Sequence, residues 1–100
     1  MDLDFAKVDP EHVKVELENE RVRVLRVTLE SFDRTRLHLH RTGVGVFLTD
    51  HDLKNFETNG EASEIRGRAG DVLWFGRPVT HITENLSSRH MELVFVELKS

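Results

Sequence analysis

The chain of 100 residues has no cysteine. That excludes a disulfide framework, a thiolate nucleophile and any zinc site built on sulfur, so the fold must rest on packing, with histidine as the best remaining transition-metal ligand besides the carboxylates. No apolar run approaches the length of a membrane span, and the first residues, Met1 to Lys7, are acidic and lack a long apolar stretch. These absences predict a cytoplasmic protein with no membrane partner. Lysine and arginine are interleaved with aspartate and glutamate, and the formal net charge is -4. No basic patch is present to neutralise phosphates, which argues against a nucleic-acid partner. Linkers, internal repeats, low-complexity segments and helical periodicity sustained over three turns are missing as well.

What is present suits a single globular domain over residues 1–100, with 38% apolar and 32% charged residues. From about Val13 onward, short β-rich segments alternate with turn signals, the pattern of an all-β sandwich or barrel. Asp9-Pro10 is suited to start a single helical turn, and Val13, Val15 and Leu17 then alternate as in a strand. Glu18-Asn19-Glu20 reads as a turn. In Arg21 to Leu29 the apolar phase slips once near Val24, which predicts a bulge or a change of sheet partner. Thr35 to His40 alternates again. Gly43 to Leu48 reads as a buried strand whose two glycines imply close backbone packing or open space above them. Thr58-Asn59-Gly60-Glu61 is the strongest hairpin signal, and Ala69-Gly70-Asp71 marks a second turn. Val72 to Phe75 reads as a short buried strand, and His81 to Asn85 and Met91 to Leu98 complete the strands.

Alternate strand residues point the same way, so His38 and His40 share a face about 7 Å apart at Cα, close enough for both rings to converge on one ion. A polar patch on an exposed sheet face is the plainer alternative. His51, between Asp50 and Asp52, suits a solvated loop better than an acidic metal patch, and His12 and His90 are expected to face solvent beside charged neighbours. Arg36 shares the face of His38 and His40 by parity. It is a candidate for pairing with a substrate carboxylate, or for lying along the barrel rim. Trp74 and Phe75 occupy opposite faces of their strand, so at most one lines a cavity; Trp74 is the candidate substrate contact. Asn85 is expected to fix a turn through its amide.

The segment Gly70 to Asn85 resembles the second conserved motif of the cupin superfamily: glycine, five residues, P-x-G, two residues, histidine, three residues, asparagine. Gly70, His81 and Asn85 fall at the expected spacing, while Gly76 stands where proline is usual and Pro78 where glycine is usual. His38-Leu39-His40 resembles the histidine pair of the first motif, and the resemblance spans about Asn19 to Lys99. Two features of that first motif are absent. The glutamate that normally follows the second histidine by four or five residues would fall at Val44 or Gly45, and a usual glycine is replaced by Phe32.

The resemblance implies a double-stranded β-helix, the cupin jelly-roll barrel, with His38, His40 and His81 as ligands to a divalent transition metal: Fe, Mn, Ni, Cu or Zn. Three neutral imidazoles with open positions suit a catalytic site, and a site without an anionic ligand keeps the metal's full positive charge, favouring an anionic or enolisable small-molecule substrate. The implied reactions are oxygenation, isomerisation and decarboxylation of a small organic acid or oxygenated metabolite. The missing glutamate keeps a non-catalytic binding or regulatory module open, and metal-free acid–base catalysis by one of the histidines is a third possibility. The family resemblance also implies a homodimer in which Val13 to Leu17 packs across subunits.

Overall fold

In the computed structural model, which describes residues 2–99, the alternation of apolar side chains is resolved into nine strands and one short helix. The strands are β1 (Val13–Glu18), β2 (Val22–Leu29), β3 (His38–His40), β4 (Gly43–Phe47), β5 (His51–Glu57), β6 (Ala62–Gly67), β7 (Val72–Phe75), β8 (Val79–Asn85) and β9 (Met91–Leu98). They form a five-stranded sheet in the order β1-β2-β9-β4-β7 and a four-stranded sheet in the order β3-β8-β5-β6, with all strand pairs antiparallel. Two sheets with crossed-over strand order, packed face to face, make a jelly-roll barrel.

The inner faces form two apolar clusters. Phe5, Val13, Leu25 and Val27 make one, and Leu29, Phe47, Leu53 and Met91 the other. The expected phase slip in β2 is real, but the irregularity that accommodates it lies in the neighbouring strand. Val15 pairs with Leu25 and Leu17 with Val24, so the extra residue, Glu16, is in β1. One additional residue there turns Leu17 to the outer face, matching Val24.

The turns follow their chemistry. Gly60 and Gly70 adopt φ of 90° and 93° in the two predicted turns, conformations that glycine reaches without steric cost. Asn19 caps the β1–β2 connection, its Oδ1 accepting from the backbone N–H groups of Arg21 (2.8 Å) and Val22 (3.0 Å). Gly43 is required by close approach: a Cβ there would lie 2.0 Å from the Val96 carbonyl oxygen.

Three expectations change. The α-helix, α1, occupies Phe5–Val8 and Asp9 ends it, although the Asp9 carbonyl also accepts from the N–H groups of His12 and Val13 to form the turn expected after Pro10. Thr35 to Leu37 does not extend β3. The Arg36 N–H donates to Asp9 Oδ2 (3.0 Å) and its carbonyl accepts from His38 Nδ1 (2.8 Å), so side chains hold the backbone groups that a ladder would use. β7 is not a buried strand: at the edge of its sheet it leaves Val72 and Trp74 each 62% exposed. Phe32, which stands in place of the first-motif glycine, adopts a left-handed φ of 57°.

Candidate functional site

β3 and β8 bring the three predicted histidines together. His38 pairs in register with His81, and His40 lies two residues on from His38 on the same inner face. The ring centroids are 4.8 Å apart for His38–His81, 5.1 Å for His40–His81 and 6.5 Å for His38–His40. Imidazoles bound to one ion at ~2.1 Å through nitrogen place their centroids about 5 Å apart. Two of the three spacings match that, and the third is wider.

Burial governs the electrostatics. Loss of water pushes the His38 and His40 pKa values down to about 4 and that of His81 to about 3, with neighbouring histidines adding to the shift at His40 and His81. All three rings are therefore neutral at pH 7, with lone pairs available. His38 Nδ1–H donates to the Arg36 carbonyl (2.8 Å), which leaves Nε2 as the lone-pair nitrogen. That His38 Nε2 and the His40 Nδ1 are buried without a hydrogen-bond partner. Buried polar atoms normally have a partner, so these two nitrogens have donor or acceptor capacity to spare, although the three rings do not each bring a nitrogen to within 4.8 Å of the others.

The surroundings are aromatic. Phe5, from α1, stacks on His38 with centroids 3.5 Å apart and planes at 6°. His40 packs against Phe75 (4.7 Å) and Phe95 (4.3 Å). A Cβ on Gly45 would meet Phe75 Cε2 at 3.1 Å and Phe95 Cδ1 at 3.7 Å, so these rings occupy the space toward which a glutamate at that position would project. The remaining cavity is about 40 Å³. At roughly 10–15 Å³ per water that accommodates an ion with a few waters and excludes an organic substrate.

A larger groove of about 250 Å³ opens between the edge strands β6 and β7 and shares Asn55, Ile65, Phe75 and His81 with the cavity wall. Trp74, 62% exposed, lies at its rim, where Gly76 leaves room for the indole: a Cβ there would be 2.9 Å from Nε1. Arg77 and Glu57 also line it, 3.6 Å apart. Glu57 was not singled out from the sequence; its register opposite His81 places it on the inner face beside the triad. Only the pairing of β5 with β8 reveals this.

Other predicted residues lie apart from the triad. The Arg36 side chain is exposed and lines neither space; its backbone carbonyl is what reaches His38. Trp74 lines the groove and Phe75 the cavity, in keeping with their opposite parity. Asn85 is fully buried and ties the β8–β9 connection, donating to the carbonyls of Glu30 (3.0 Å) and Arg89 (2.7 Å) and accepting from the Ser87 N–H (3.0 Å).

His51 and His12 are corrected. His51 starts β5, is 5% exposed and stacks on Phe47 at 3.5 Å. His12 is clasped by two carboxylates, Nδ1 to Asp9 Oδ1 (2.7 Å) and Nε2 to Asp33 Oδ2 (2.7 Å). Among the described residues, the group of three possible ligand atoms lying within 4.8 Å of one another is Asp9, Glu11 and His12, and the second ring nitrogen of that histidine is taken by Asp33. His12, Asp9 and Asp33 form an ion-pair cluster. His90 is half-exposed beside Glu30 and Glu92, as expected.

No protein-family model and no curated protein matches the sequence. Solved structures do. A cupin domain from Bordetella pertussis Tohama I is 25% identical with a TM-score of 0.80, covering 88% of this chain and 92% of that one. An RmlC-like cupin family protein with a double-stranded β-helix fold from Methanocaldococcus jannaschii is 15% identical with a TM-score of 0.66, over 86% and 77% of the two chains. A conserved protein with a double-stranded β-helix domain from Klebsiella pneumoniae is 17% identical with a TM-score of 0.66, over 84% and 72%.

Proposed function

We propose that this barrel, which has the double-stranded β-helix fold of the cupin superfamily, binds one divalent transition metal (Fe, Mn, Ni, Cu or Zn) through His38, His40 and His81 and acts on a small organic acid or oxygenated metabolite. The observation that carries the reading is the pair of buried, unpartnered nitrogens, His38 Nε2 and His40 Nδ1, among three imidazoles that burial keeps neutral. A set of nitrogen donors with no thiolate suits these metals. Bound there, the metal supplies Lewis acidity or oxygen activation, the chemistry of an oxygenase, isomerase or decarboxylase.

The chain's own residues then have separate tasks. The Arg36 carbonyl holds the His38 tautomer. Phe5, Phe75 and Phe95 wall the cavity and limit how much water it holds. The substrate occupies the outer groove, its apolar part against Trp74 and its carboxylate on Arg77, which exchanges Glu57 for it. His81 and Phe75, shared by both spaces, are where the substrate meets the site. The working form is a cytoplasmic homodimer.

A second reading rests on the rings over Gly45 and the 6.5 Å His38–His40 spacing: a barrel that binds a small molecule without metal or catalysis. Elemental analysis separates the two, using untagged protein purified without chelator alongside His38→Ala, His40→Ala and His81→Ala. Near-stoichiometric metal in the wild type, removed by each substitution, supports the metalloenzyme. Wild type that is empty and takes up none of the five metals sinks it and leaves the binding module.

A further inference from the structure

Residues 2–8 lie against the barrel on few supports. Their four-residue helix, α1, is too short to be stable alone, so contacts with the barrel keep it in place. Phe5 makes the apolar contact, packed with Val13, Leu25 and Val27 and flat on His38. The backbone is attached by a short parallel bridge between Asp4 and Leu39, where the Leu39 N–H donates to the Leu3 carbonyl (2.7 Å). The polar contact is made by Asp4. Its carboxylate is gripped by Arg23, whose Nη1 and Nη2 donate to Oδ2 (3.0 Å) and Oδ1 (2.7 Å).

That grip has the form of an anion site. Arg23 is largely buried, and its Nε donates to Glu97 Oε1 (2.7 Å), which fixes the guanidinium fork toward Asp4. Arg41 faces the same carboxylate from 3.8 Å, beyond hydrogen-bond distance, with its side chain half-exposed. An open cleft of about 210 Å³ adjoins the two arginines and shares no residue with the groove at Trp74. Across it Arg23, Arg41 and Lys99 face Asp4, Glu18 and Glu97. Glu18 and Glu97 sit on strands; Asp4 alone of the three is carried by the short segment, and with Asp4 withdrawn the cleft holds one uncompensated positive charge. Glu97 also lines the histidine cavity, so the ion pairs that hold Asp4 form the partition between cleft and cavity.

We propose that residues 2–8 are a lid on the histidine cavity, latched by Asp4 on Arg23 and Arg41, and that a small carboxylate opens it by taking the place of Asp4 in the cleft. Exchange of a tethered carboxylate for a free one leaves the charge of the cleft balanced, and the free one can settle between both arginines, where Asp4 reaches only Arg23. The tether gives Asp4 an effective concentration on the order of millimolar, so the opener acts in that range or above. Opening draws Phe5 off His38 and vacates a ring-sized space against the imidazole, whereas the closed cavity of about 40 Å³ admits no organic molecule. Asp9, buried and held by His12 Nδ1 (2.7 Å) and the Arg36 N–H (3.0 Å), stays behind as the hinge. The lid controls access to the histidines whatever they bind.

Amide exchange of the full chain, followed by NMR, reads the lid at Leu39, whose N–H is bonded to Leu3, and the barrel at β2 and β9. Sodium acetate, the detached equivalent of the Asp4 side chain, should speed exchange at Leu39 several-fold over sodium chloride at equal ionic strength and leave β2 and β9 unchanged. Asp4→Ala should speed it by more than about tenfold without acetate, because it breaks a largely buried ion pair, and should bind acetate more tightly than wild type, seen as shifts of the Arg23 and Arg41 Nε–H signals. If Asp4→Ala does not fold, Arg41→Gln, at a half-exposed position, replaces it and should weaken the effect of acetate on Leu39. In metal-free protein, diethylpyrocarbonate should modify His38 faster with acetate than with chloride, measured against the half-exposed His90. The lid is overturned by acetate that acts as chloride does, by Leu39 exchange that rises only together with β2 and β9, by a folded variant that behaves as wild type, or by a His38 that stays protected while Leu39 exchanges faster. None of these readings uses a bound metal, so the metal proposal stands or falls separately.

Discussion

Phe5 lies flat on His38, its ring 3.5 Å from the imidazole and within 6° of parallel. The contact joins the only helix among the described residues to the centre of the barrel, and a bridge between Asp4 and Leu39 holds the same segment to β3. The N-terminal turn is thus a wall of the histidine cavity.

Phe5→Ala should remove that wall. The ring is 5% exposed, and truncating a buried phenylalanine costs about 3–5 kcal/mol. Urea unfolding should show the loss, and the His38 ring, 1% exposed in the wild type, should react with diethylpyrocarbonate faster in the variant than in the wild type.

Phe32→Gly should act in the opposite direction. Phe32 holds a left-handed φ of 57° while its side chain is 64% exposed. An L-residue in that region pays roughly 1–2 kcal/mol that glycine does not, partly offset by the freer unfolded chain. Stability should therefore rise by about 1 kcal/mol, read as a higher urea midpoint at unchanged slope.

Acid should weaken the fold through the triad. The unfolded histidines titrate near 6.5, and the folded ones at about 4, 4 and 3. Between those values the unfolded chain binds more protons, so their contribution is complete above pH 6.5 and is lost as pH falls toward 4. Urea midpoints of metal-free protein should decline from pH 6.5 to 5, above the range where most carboxylates titrate. A flat profile there would show the rings to be better hydrated than their burial implies.

His12 should impose the reverse slope. Burial alone would lower its pKa, but the hydrogen bonds its ring donates to Asp33 and Asp9 and the charge of both carboxylates outweigh it and raise the value above 6.5. The stabilisation is complete below pH 6.5 and is lost as pH rises through the folded value. His12→Gln should cost about 3 kcal/mol near pH 6, because it leaves the buried Asp9 carboxylate without its cation, and should flatten the alkaline slope in urea midpoint. The wild type is then most stable near pH 6.5.

Elements set by local chemistry were readable from the sequence. Val72 to Phe75 and Met91 to Leu98 are strands because their short apolar runs and flanking turns admit little else, and Gly60 and Gly70 sit where left-handed turns need them. The triad was readable through motif spacing, since His38 and His40 share strand parity and His81 lies at a fixed distance from Gly70. Properties that depend on distant partners were not. His12 looks solvated until Asp33 closes on its far nitrogen, twenty-one residues away. His51 looks like a loop residue until Phe47 covers it. Glu57 becomes a neighbour of His81 only through the β5–β8 register, and Arg36 acts through its carbonyl, an atom every residue carries.

Two of the three histidines come from β3, a three-residue strand at the edge of its sheet, paired with β8 on one side and held on the other by the Leu39 N–H donating to the Leu3 carbonyl (2.7 Å). Such an edge can part from β8 at a fraction of the free energy needed to unfold the barrel. Opening β3 takes apart the whole histidine cluster while both apolar clusters stay intact. A ligand bound there would act as a staple on this short seam, and its residence time would be set by how often the seam opens. Amide exchange at His38 and His40, which alternate with the Leu39 N–H that faces Leu3, would report that frequency directly, slowing many-fold on binding while the amides of β2 and β9 exchange as before.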